Sequence, residues 1–276
     1  MLFRYFGQQA AWERKGFRFK MPIKLLDSTL VSLTISVYDW AHYTTSKGAV
    51  KMHTLLDYDC LLPEFMNITG GKRTDNKAAF DIEIKPHSIV VADRGYCDYG
   101  LLNHWDSNNV FYVVRHKDDI QHRTIKELPL PEKHAQNVLL DEIIEFELPT
   151  AKDKCPKRLR RIAVWDEEHG FVIELLSNNV TLAASTIAKL YKARWNIEIF
   201  FHNLKQLLRI KSFIGISRNA VETQIWTAMI TMLLFMWLKH IARYKWALAN
   251  LAFLATTEYI PPVSYTHLRA HETAAN

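Results

Sequence analysis

A short apolar run in the first half of the chain reads Ile89-Val90-Val91-Ala92-Asp93. A run of only four apolar residues suits a strand that is buried on both faces at the centre of a sheet. The run ends in an aspartate, and a carboxylate beside a buried surface is costly unless cations or hydrogen-bond donors compensate it. The sequence therefore predicts a central strand over residues 89–92 and makes Asp93 a candidate metal ligand.

The segments around this run set the order of the other elements. Three stretches rich in β-branched and apolar residues, 23–33, 47–56 and 61–68, predict an antiparallel meander that ends before Gly70-Gly71. The further predicted elements are a short helix over 74–80, a second one over 99–105 and a strand over 110–115. Thr74 or Asp75 can cap the first of these helices, and Asp98 is interpreted as the cap of the second.

Charge-rich connections and strand-like runs mark the segment from about Lys117 to Asn179. Its predicted strands cover residues 138–148, 158–165 and 171–176, so we expect an all-β insertion. After it, Thr181 opens a long helix to about Lys211, and a second, mostly buried helix runs from Asn219 to about Tyr244. The predicted order is β-β-β-α-β-α-β, then inserted β-structure, then α-α.

The first of these long helices carries four polar residues on one stripe. Tyr191, Arg194, Glu198 and Lys205 are 3, 4 and 7 residues apart, which places them within a sector about 60° wide. The residues around them are strongly apolar: Leu190, Ile197, Phe200, Phe201 and Leu204. Glu198 therefore stands near a buried surface and needs cations besides Arg194. Asp27, in the first predicted strand, and Asp93 are the further candidates for a shared metal site.

Composition and charge narrow the class of protein. The 276 residues are 49% hydrophobic, enough for one large core with an inserted or appended subdomain. Three cysteines without a C-x-x-C pair support neither a zinc knuckle nor a disulfide framework, and they suit a reducing cytosol. A net charge of +6 favours a polyanionic partner only modestly. The apolar residues 225–238 fall short of the roughly 20 that span a bilayer, which favours a buried core helix and no membrane.

The predicted order of elements resembles the ribonuclease H-like fold, a mixed α/β sheet flanked by helices in which the first and fourth strands lie side by side. From Phe17 to about Lys239, the chain also resembles transposases of the insertion-sequence 4 family. Four stretches in family order carry this resemblance: Leu26-Asp27-Ser28-Thr29, Lys47-Gly-Ala-Val-Lys-Met-His-Thr-Leu-Leu-Asp57, Ile89-Val-Val-Ala-Asp93-Arg-Gly-Tyr96, and Tyr-x2-Arg-x3-Glu-x6-Lys from Tyr191 to Lys205.

The resemblance implies a DDE transposase that cleaves DNA and transfers the strands of an insertion sequence. Asp27, Asp93 and Glu198 would be the catalytic residues and would bind two Mg²⁺ ions, for which Mn²⁺ can substitute. Carboxylates suit this task because hard divalent cations take oxygen ligands and keep several waters. The family's route of nicking, hairpin formation and joining is implied on the same ground.

The resemblance also implies partners and a location. The expected partners are double-stranded DNA with terminal inverted repeats, a target DNA and a second copy of the chain, which forms a homodimer on paired ends. The expected location is the cytoplasm of a prokaryote, in association with the nucleoid.

Several residues outside the three carboxylates are expected to contact DNA. Tyr191, Arg194 and Lys205 resemble the family's contacts to terminal phosphates, although a helical arginine and lysine can equally form salt bridges on a solvated face. A basic cluster in the predicted insertion can track phosphates or merely protect a strand edge; its members are Lys154, Lys157, Arg158, Arg160 and Arg161. Trp165 can stack on a flipped base or pack in the core.

The expected organisation has five parts. They are a remnant N-terminal segment (1–20), the first part of the catalytic core (21–116), the β-rich insertion (117–180), the C-terminal helices of the core (181–250) and a tail that resembles translated vector sequence (263–276). Relatives have a substantial N-terminal domain that recognises inverted repeats, so we expect a truncated copy of a transposase. Two alternatives stay open: a ribonuclease H-like nuclease without transposition, and a catalytically inactive DNA-binding remnant.

Overall fold

The first three strands form an antiparallel meander in the computed structural model, which describes residues 17, 19–34, 38–41, 48–117, 121–130, 137–155, 157–208 and 213–241. They are β1 (Ile23–Leu33), β2 (Gly48–Asp57) and β3 (Pro63–Gly70). Asp57 fixes the turn between β2 and β3, because its Oδ1 accepts 3.0 Å hydrogen bonds from the backbone N–H groups of Asp59 and Cys60. The predicted meander is confirmed, and Lys47, the first residue of the second predicted strand, lies outside the described residues.

Strand β4 (Ile89–Ala92) lies at the centre of this sheet. All four of its residues are buried, and it pairs parallel with β1 on one side and with β5 (Phe111–Arg115) on the other. Its register sets Ala92 opposite Leu26, so Asp93 and Asp27 follow paired residues of adjacent parallel strands. The order β3-β2-β1-β4-β5, with β2 antiparallel to β1, is that of the ribonuclease H-like fold, and the predicted fold class is confirmed.

Helices cover both faces of the sheet. They are α1 (Asp75–Ala79), α2 (Tyr99–Ser107), α3 (Pro149–Lys154), α4 (Ala184–Ala193), α5 (Trp195–Leu208) and α6 (Arg218–Ile241), with 3-10 turns at Asp39–Ala41 and Arg94–Tyr96. Because side chains alternate along a strand, Leu26 and Val90 join the core beneath α1 to α3, whereas Leu25 and Val91 join the core beneath α4 to α6. The same alternation directs Asp27 to the face that α4 and α5 cover.

The strands of the predicted insertion extend the same sheet. β6 (His122–Glu127), β7 (Val138–Phe146), β8 (Leu159–Asp166) and β9 (Phe171–Ser177) are antiparallel, and β9 pairs with β5. The sheet therefore has nine strands in the described residues, in the order β3-β2-β1-β4-β5-β9-β8-β7-β6. Helix α3 interrupts the segment, where the sequence predicted only β-structure. The division into parts at residues 116 and 180 stays a prediction.

The helix predicted over residues 181–211 is two helices, and Arg194 separates them. The backbone N–H of Arg194 donates to the carbonyl of Tyr191, and the N–H of Ile197 donates to the carbonyl of Arg194, both at 3.0 Å. These bonds span three residues instead of four, which tightens the turn. Asn196 Nδ2 donates to the carbonyl of Ala193 at 2.7 Å, a bond that competes with helix continuation. The prediction of one uninterrupted helix is therefore wrong at Arg194.

Helix α6 is long and apolar enough, by length and composition alone, to cross a membrane. One side of it packs into the core through Val221, Ile225 and Met229, which are buried with the apolar residues of α5. The other side leaves Trp226, Ile230, Leu234 and Leu238 exposed in the described residues, and only 28% of the apolar window is buried. The helix thus contacts the core as predicted, but the prediction that it is mostly buried is wrong. The predicted end at about Tyr244, the tail 263–276 and all but residues 17, 19 and 20 of the predicted segment 1–20 lie outside the described residues.

Candidate active site

Arg194 joins the residues that the sequence predicted for catalysis. Its Nη2 lies 2.6 Å from Oε1 of Glu198, and its Nη1 lies 3.4 Å from Oδ2 of Asp27. Its guanidinium carbon stands 5.6 Å from the centre of the Tyr191 ring, within the range of a cation–π contact. Arg194 thus contacts both Glu198 and Asp27, and Asp27 lies 167 positions before it in the sequence.

Tyr191 links the same group to the end of β4. Its hydroxyl donates a hydrogen bond of 3.2 Å to Oδ1 of Asp93. Burial and the charge of Asp93 raise the pKa of Tyr191 to about 12, so the hydroxyl keeps its proton at neutral pH. Asp93 and Asp27 therefore approach the α4–α5 junction from neighbouring strands.

The environment of Asp27 disfavours its negative charge. The pKa of Asp27 is raised to about 7, chiefly by burial and in smaller part by the charges of Asp93 and Glu198. The backbone N–H of Ser28, which donates to Oδ1 of Asp27 at 2.7 Å, and the charge of Arg194 act in the opposite direction. The charge of Arg194 therefore does not offset the burial of Asp27.

The three carboxylates have the chemistry of a site for a hard divalent cation, because Mg²⁺ prefers a few carboxylate oxygens together with water. As they stand, no three acidic, histidine or cysteine side chains of the described residues are close enough to hold an ion. The guanidinium of Arg194 lies between Asp27 and Glu198. Its Nε is buried and lacks a hydrogen-bond partner among the described residues. The three carboxylates suit a divalent cation by their donor type, but not by their present spacing.

The structure bears on the salt-bridge alternative for Lys205 and on the core-packing alternative for Trp165. Lys205 is half-buried on α5, and its pKa is lowered by burial, with no charged neighbour contributing. The salt-bridge alternative for Lys205 therefore finds no partner among the described residues. Trp165, at the end of β8, keeps 40% of its surface exposed, so it does not pack in the core.

The predicted basic cluster divides into buried and exposed members. Arg160 is buried, donates to both carboxylate oxygens of Asp141 at 2.7 Å and reaches the carbonyls of Asn179 and Leu182. Its predicted role in DNA binding is wrong, because the side chain is buried and four of its five N–H donors are already bonded within the protein. Arg161 is mostly buried and paired with Glu142 and Glu174 at 2.6 and 3.0 Å, which argues against a phosphate contact in the same way. Arg158 is exposed and remains a candidate.

Sequence reasoning missed two groups near the site. Arg115, the last residue of β5, is close enough for its charge to act on the pKa of Tyr191. Its position at the end of a strand beside β4 was the available signal. Asp75, interpreted as a helix cap, instead accepts a 2.6 Å hydrogen bond from Oγ of Ser28, next to Asp27. Thr74 occupies the N-cap position of α1, whereas Asp98 caps α2 as predicted, by accepting from the N–H of Leu101.

The sheet order and the carboxylate centre define a ribonuclease H-like domain with a site that attracts cations. Residues 18–234 match the family described as transposase DDE domain, and the chain belongs to this family. The resemblance to insertion-sequence 4 transposases is thereby confirmed. Enzymes of the family use divalent metal ions.

Named relatives agree with this assignment. The chain is 29% identical over 225 residues to a protein of Geobacillus stearothermophilus named as a transposase for insertion sequence element IS5377, covering 82% of this chain and 59% of that one. It is 32% identical over 209 residues to a protein of Sinorhizobium fredii named as transposase y4zB, covering 75% and 58%. A protein of Synechocystis named as a transposase for IS4SA is 27% identical over 221 residues, with coverage of 78% and 60%. The chain thus spans about three fifths of the length of these relatives.

One solved structure also overlaps with the chain, the piggyBac transposase in a synaptic complex with hairpin DNA. It covers 91% of this chain and 54% of that one, at a TM-score of 0.47 and 11% identity. At that level the overlap adds nothing to the family assignment.

Proposed function

We propose that the chain is the catalytic domain of an insertion-sequence transposase, which cleaves DNA at the ends of the element and joins the freed ends to a target. The observation that supports this most is the convergence of Asp27, Asp93 and Glu198 on Arg194 and Tyr191. These residues come from two central strands and a helix. Membership of the transposase family supports the type of reaction, and the contacts among these residues support its location.

In this proposal Asp27, Asp93 and Glu198 hold two Mg²⁺ ions, and Mn²⁺ can substitute. The ions would activate water or a DNA 3′-hydroxyl as the nucleophile and stabilise the leaving 3′-oxygen. Glu198 is more accessible than Asp27, since 34% of its side chain is exposed against 19% for Asp27. Tyr191, which keeps its proton, orients Asp93 through its hydrogen bond.

Arg194 is proposed to change partners during the reaction. A guanidinium binds carboxylate and phosphate through the same planar set of donors. Once the carboxylates are neutralised, Arg194 is free to turn to a terminal phosphate of the element. Lys205 would add a mobile point charge, and the exposed Arg158 and Trp165 would contact DNA farther from the centre. Inverted-repeat DNA, a target DNA and a second copy of the chain on paired ends are the proposed partners.

Strand cleavage and joining by the purified chain test this function. The substrate is DNA that carries the inverted repeats flanking the coding sequence, with Mg²⁺ and a target plasmid. We expect cleavage and joining that EDTA abolishes and that Asp93→Ala eliminates. The matched control is Asp81→Ala, which removes an acidic residue that forms an exposed ion pair with Arg73. Equal activity of Asp93→Ala and the unmodified chain would refute the proposal, and cleavage without joining would favour a nuclease.

A further inference from the structure

A second polar cluster lies on the opposite face of the sheet, beneath the proposed active site. Asp75, in the first turn of α1, is its centre. Oδ1 of Asp75 accepts from Oγ of Ser28 at 2.6 Å and from Nζ of Lys51 at 3.2 Å. Nδ1 of His53 lies 3.7 Å from the same oxygen. The cluster thus ties α1 to both β1 and β2.

Lys51 is the cation that balances Asp75. The pKa of His53 is lowered to about 4, chiefly by burial, although Asp75 acts to raise it. The imidazole is therefore neutral at pH 7. The lysine and the hydroxyl both bond Oδ1 of Asp75, whose side chain is 28% exposed, and together they restrain its orientation.

The cluster reaches the proposed metal ligands through Ser28. The side chain of Ser28 is anchored to Asp75, and its backbone N–H donates to Oδ1 of Asp27 at 2.7 Å. One residue therefore connects a carboxylate on one face of the sheet to a carboxylate on the other. The hydrogen bond to Asp75 therefore restrains the same residue whose backbone N–H bonds Asp27.

The same short helix also contacts the segment that follows Asp93. A Cβ atom built on Gly95 would lie 3.6 Å from Oδ2 of Asp75, which is van der Waals contact. Nδ2 of the adjacent Asn76 donates to Oδ2 of Asp98 at 3.3 Å. Helix α1 therefore braces both segments that carry the proposed ligands, β1 with Asp27 and the turn after Asp93.

We infer that Asp75 is a positioning residue, which sets the orientation of Asp27 through Ser28. This inference rests on the proposed function of the site. Outer partners of metal ligands typically change metal affinity or activity by about 10- to 100-fold when removed. Asp75 does not contact the reacting atoms, so its removal should act on metal use and turnover rather than on DNA affinity.

Four variants of the full chain test this role. Asp75→Ala and Ser28→Ala break the link, Asp75→Asn keeps an acceptor for Ser28, and Asp81→Ala removes a nearby acid that has no contact with Ser28. The first readout is the Mg²⁺ concentration that half-saturates the rise in the thermal unfolding midpoint, measured without DNA. The second is the split between kcat and KM for DNA cleavage.

We expect Asp75→Ala and Ser28→Ala to raise the half-saturating Mg²⁺ concentration and to lower kcat by about tenfold or more, with KM for DNA unchanged. Asp75→Asn and Asp81→Ala should stay within about threefold of the unmodified chain. The inference is overturned if Asp75→Ala matches the unmodified chain, or if Asp75→Asn or Asp81→Ala loses as much as Asp75→Ala. If the unmodified chain fails to cleave DNA, the proposed function fails, whereas the Mg²⁺ titration still tests the link.

Discussion

Arg194 balances part of the negative charge of the proposed active site. The guanidinium is mostly buried and contacts both Asp27 and Glu198. Removal of one partner from a buried ion pair leaves the other charge uncompensated, which is costlier than the pair itself. We therefore expect the chain to lose stability when the charge of Arg194 is removed.

Replacing Arg194 with glutamine tests that contribution. We expect Arg194→Gln to lower the free energy of unfolding in EDTA by about 2 kcal/mol, and Mg²⁺ to restore more stability to this variant than to the unmodified chain. Urea unfolding with and without Mg²⁺ measures both effects. The matched control is Arg218→Gln, which breaks an exposed helical pair with Glu222 and should cost less than about 0.5 kcal/mol. Equal stability of Arg194→Gln and the unmodified chain in EDTA would rule out the stabilising role.

The raised pKa of Asp27 predicts a dependence of stability on pH. The pKa is about 7 in the folded chain against 3.8 for a free aspartate, so the folded state binds the proton more tightly than the unfolded state. The associated stability is present below pH 4 and is lost as the pH rises from about 4 to about 7, at about 1.4 kcal/mol per unit.

Asp27→Asn should remove that dependence and be more stable than the unmodified chain at pH 8 in EDTA. Urea unfolding at pH 5 and pH 8 provides the comparison. The difference between the two proteins should grow with pH, and parallel pH profiles would show that Asp27 is not the group responsible.

At the scale of single residues, the sequence predicted which polar side chains come together better than it predicted which partners neutralise them. The spacing of Tyr191, Arg194 and Glu198 predicted a shared polar stripe, and the three residues do meet. The role of Arg160 was mispredicted because its partner, Asp141, lies on the adjacent strand, 19 positions away. Charge is visible in a sequence, whereas a neutralising partner across a sheet is not. The same reason hid the link from Asp75 to Ser28.

At the scale of elements, β8 and the residue before it show that two nearby arginines, Arg160 and Arg158, can have different roles. Arg160 holds β7 and the segment that leads into α4, through Asp141 and the carbonyls of Asn179 and Leu182. Its replacement would orphan a buried carboxylate and two carbonyls. Arg158, just before β8, is exposed and free to meet a phosphate.

A pair of methionine variants separates these tasks. We expect Arg160→Met to lower the free energy of unfolding by about 3 kcal/mol, since breaking one side of a buried pair costs that much. Arg158→Met should leave stability within about 0.5 kcal/mol and reduce the slope of log affinity for DNA against log salt by about 0.9. Urea unfolding and fluorescence anisotropy measure the two quantities. A salt slope unchanged in Arg158→Met would remove Arg158 from the DNA surface.

Element prediction succeeded where periodicity and burial coincide. The buried run of β4 and the meander of β1 to β3 have the apolar patterns that their positions require. Strand β6 has mostly exposed residues at the edge of the sheet and carries no such pattern, so it escaped prediction. The break at Arg194 escaped as well, because apolar periodicity continues through it and the competing bond comes from the Asn196 side chain.

On the scale of the whole molecule, the sheet has a different polar cluster on each face. One face, beneath α4 and α5, carries the proposed reaction centre, and the other carries the cluster around Asp75 that braces it. The sequence predicted the inserted β-structure but not that it continues the core sheet, since the pairing of β5 with β9 joins residues 60 to 64 positions apart. Tertiary pairing of this kind leaves no local trace in a sequence.

Counting bound manganese tests the central claim most directly. Isothermal titration of the chain, bound to inverted-repeat DNA, should give two Mn²⁺ ions per chain. Asp93→Asn and Glu198→Gln should each lose at least one ion, while Asp81→Asn keeps both. If Asp93→Asn and Glu198→Gln still bind two ions with unchanged affinity, Asp27, Asp93 and Glu198 do not form the metal site.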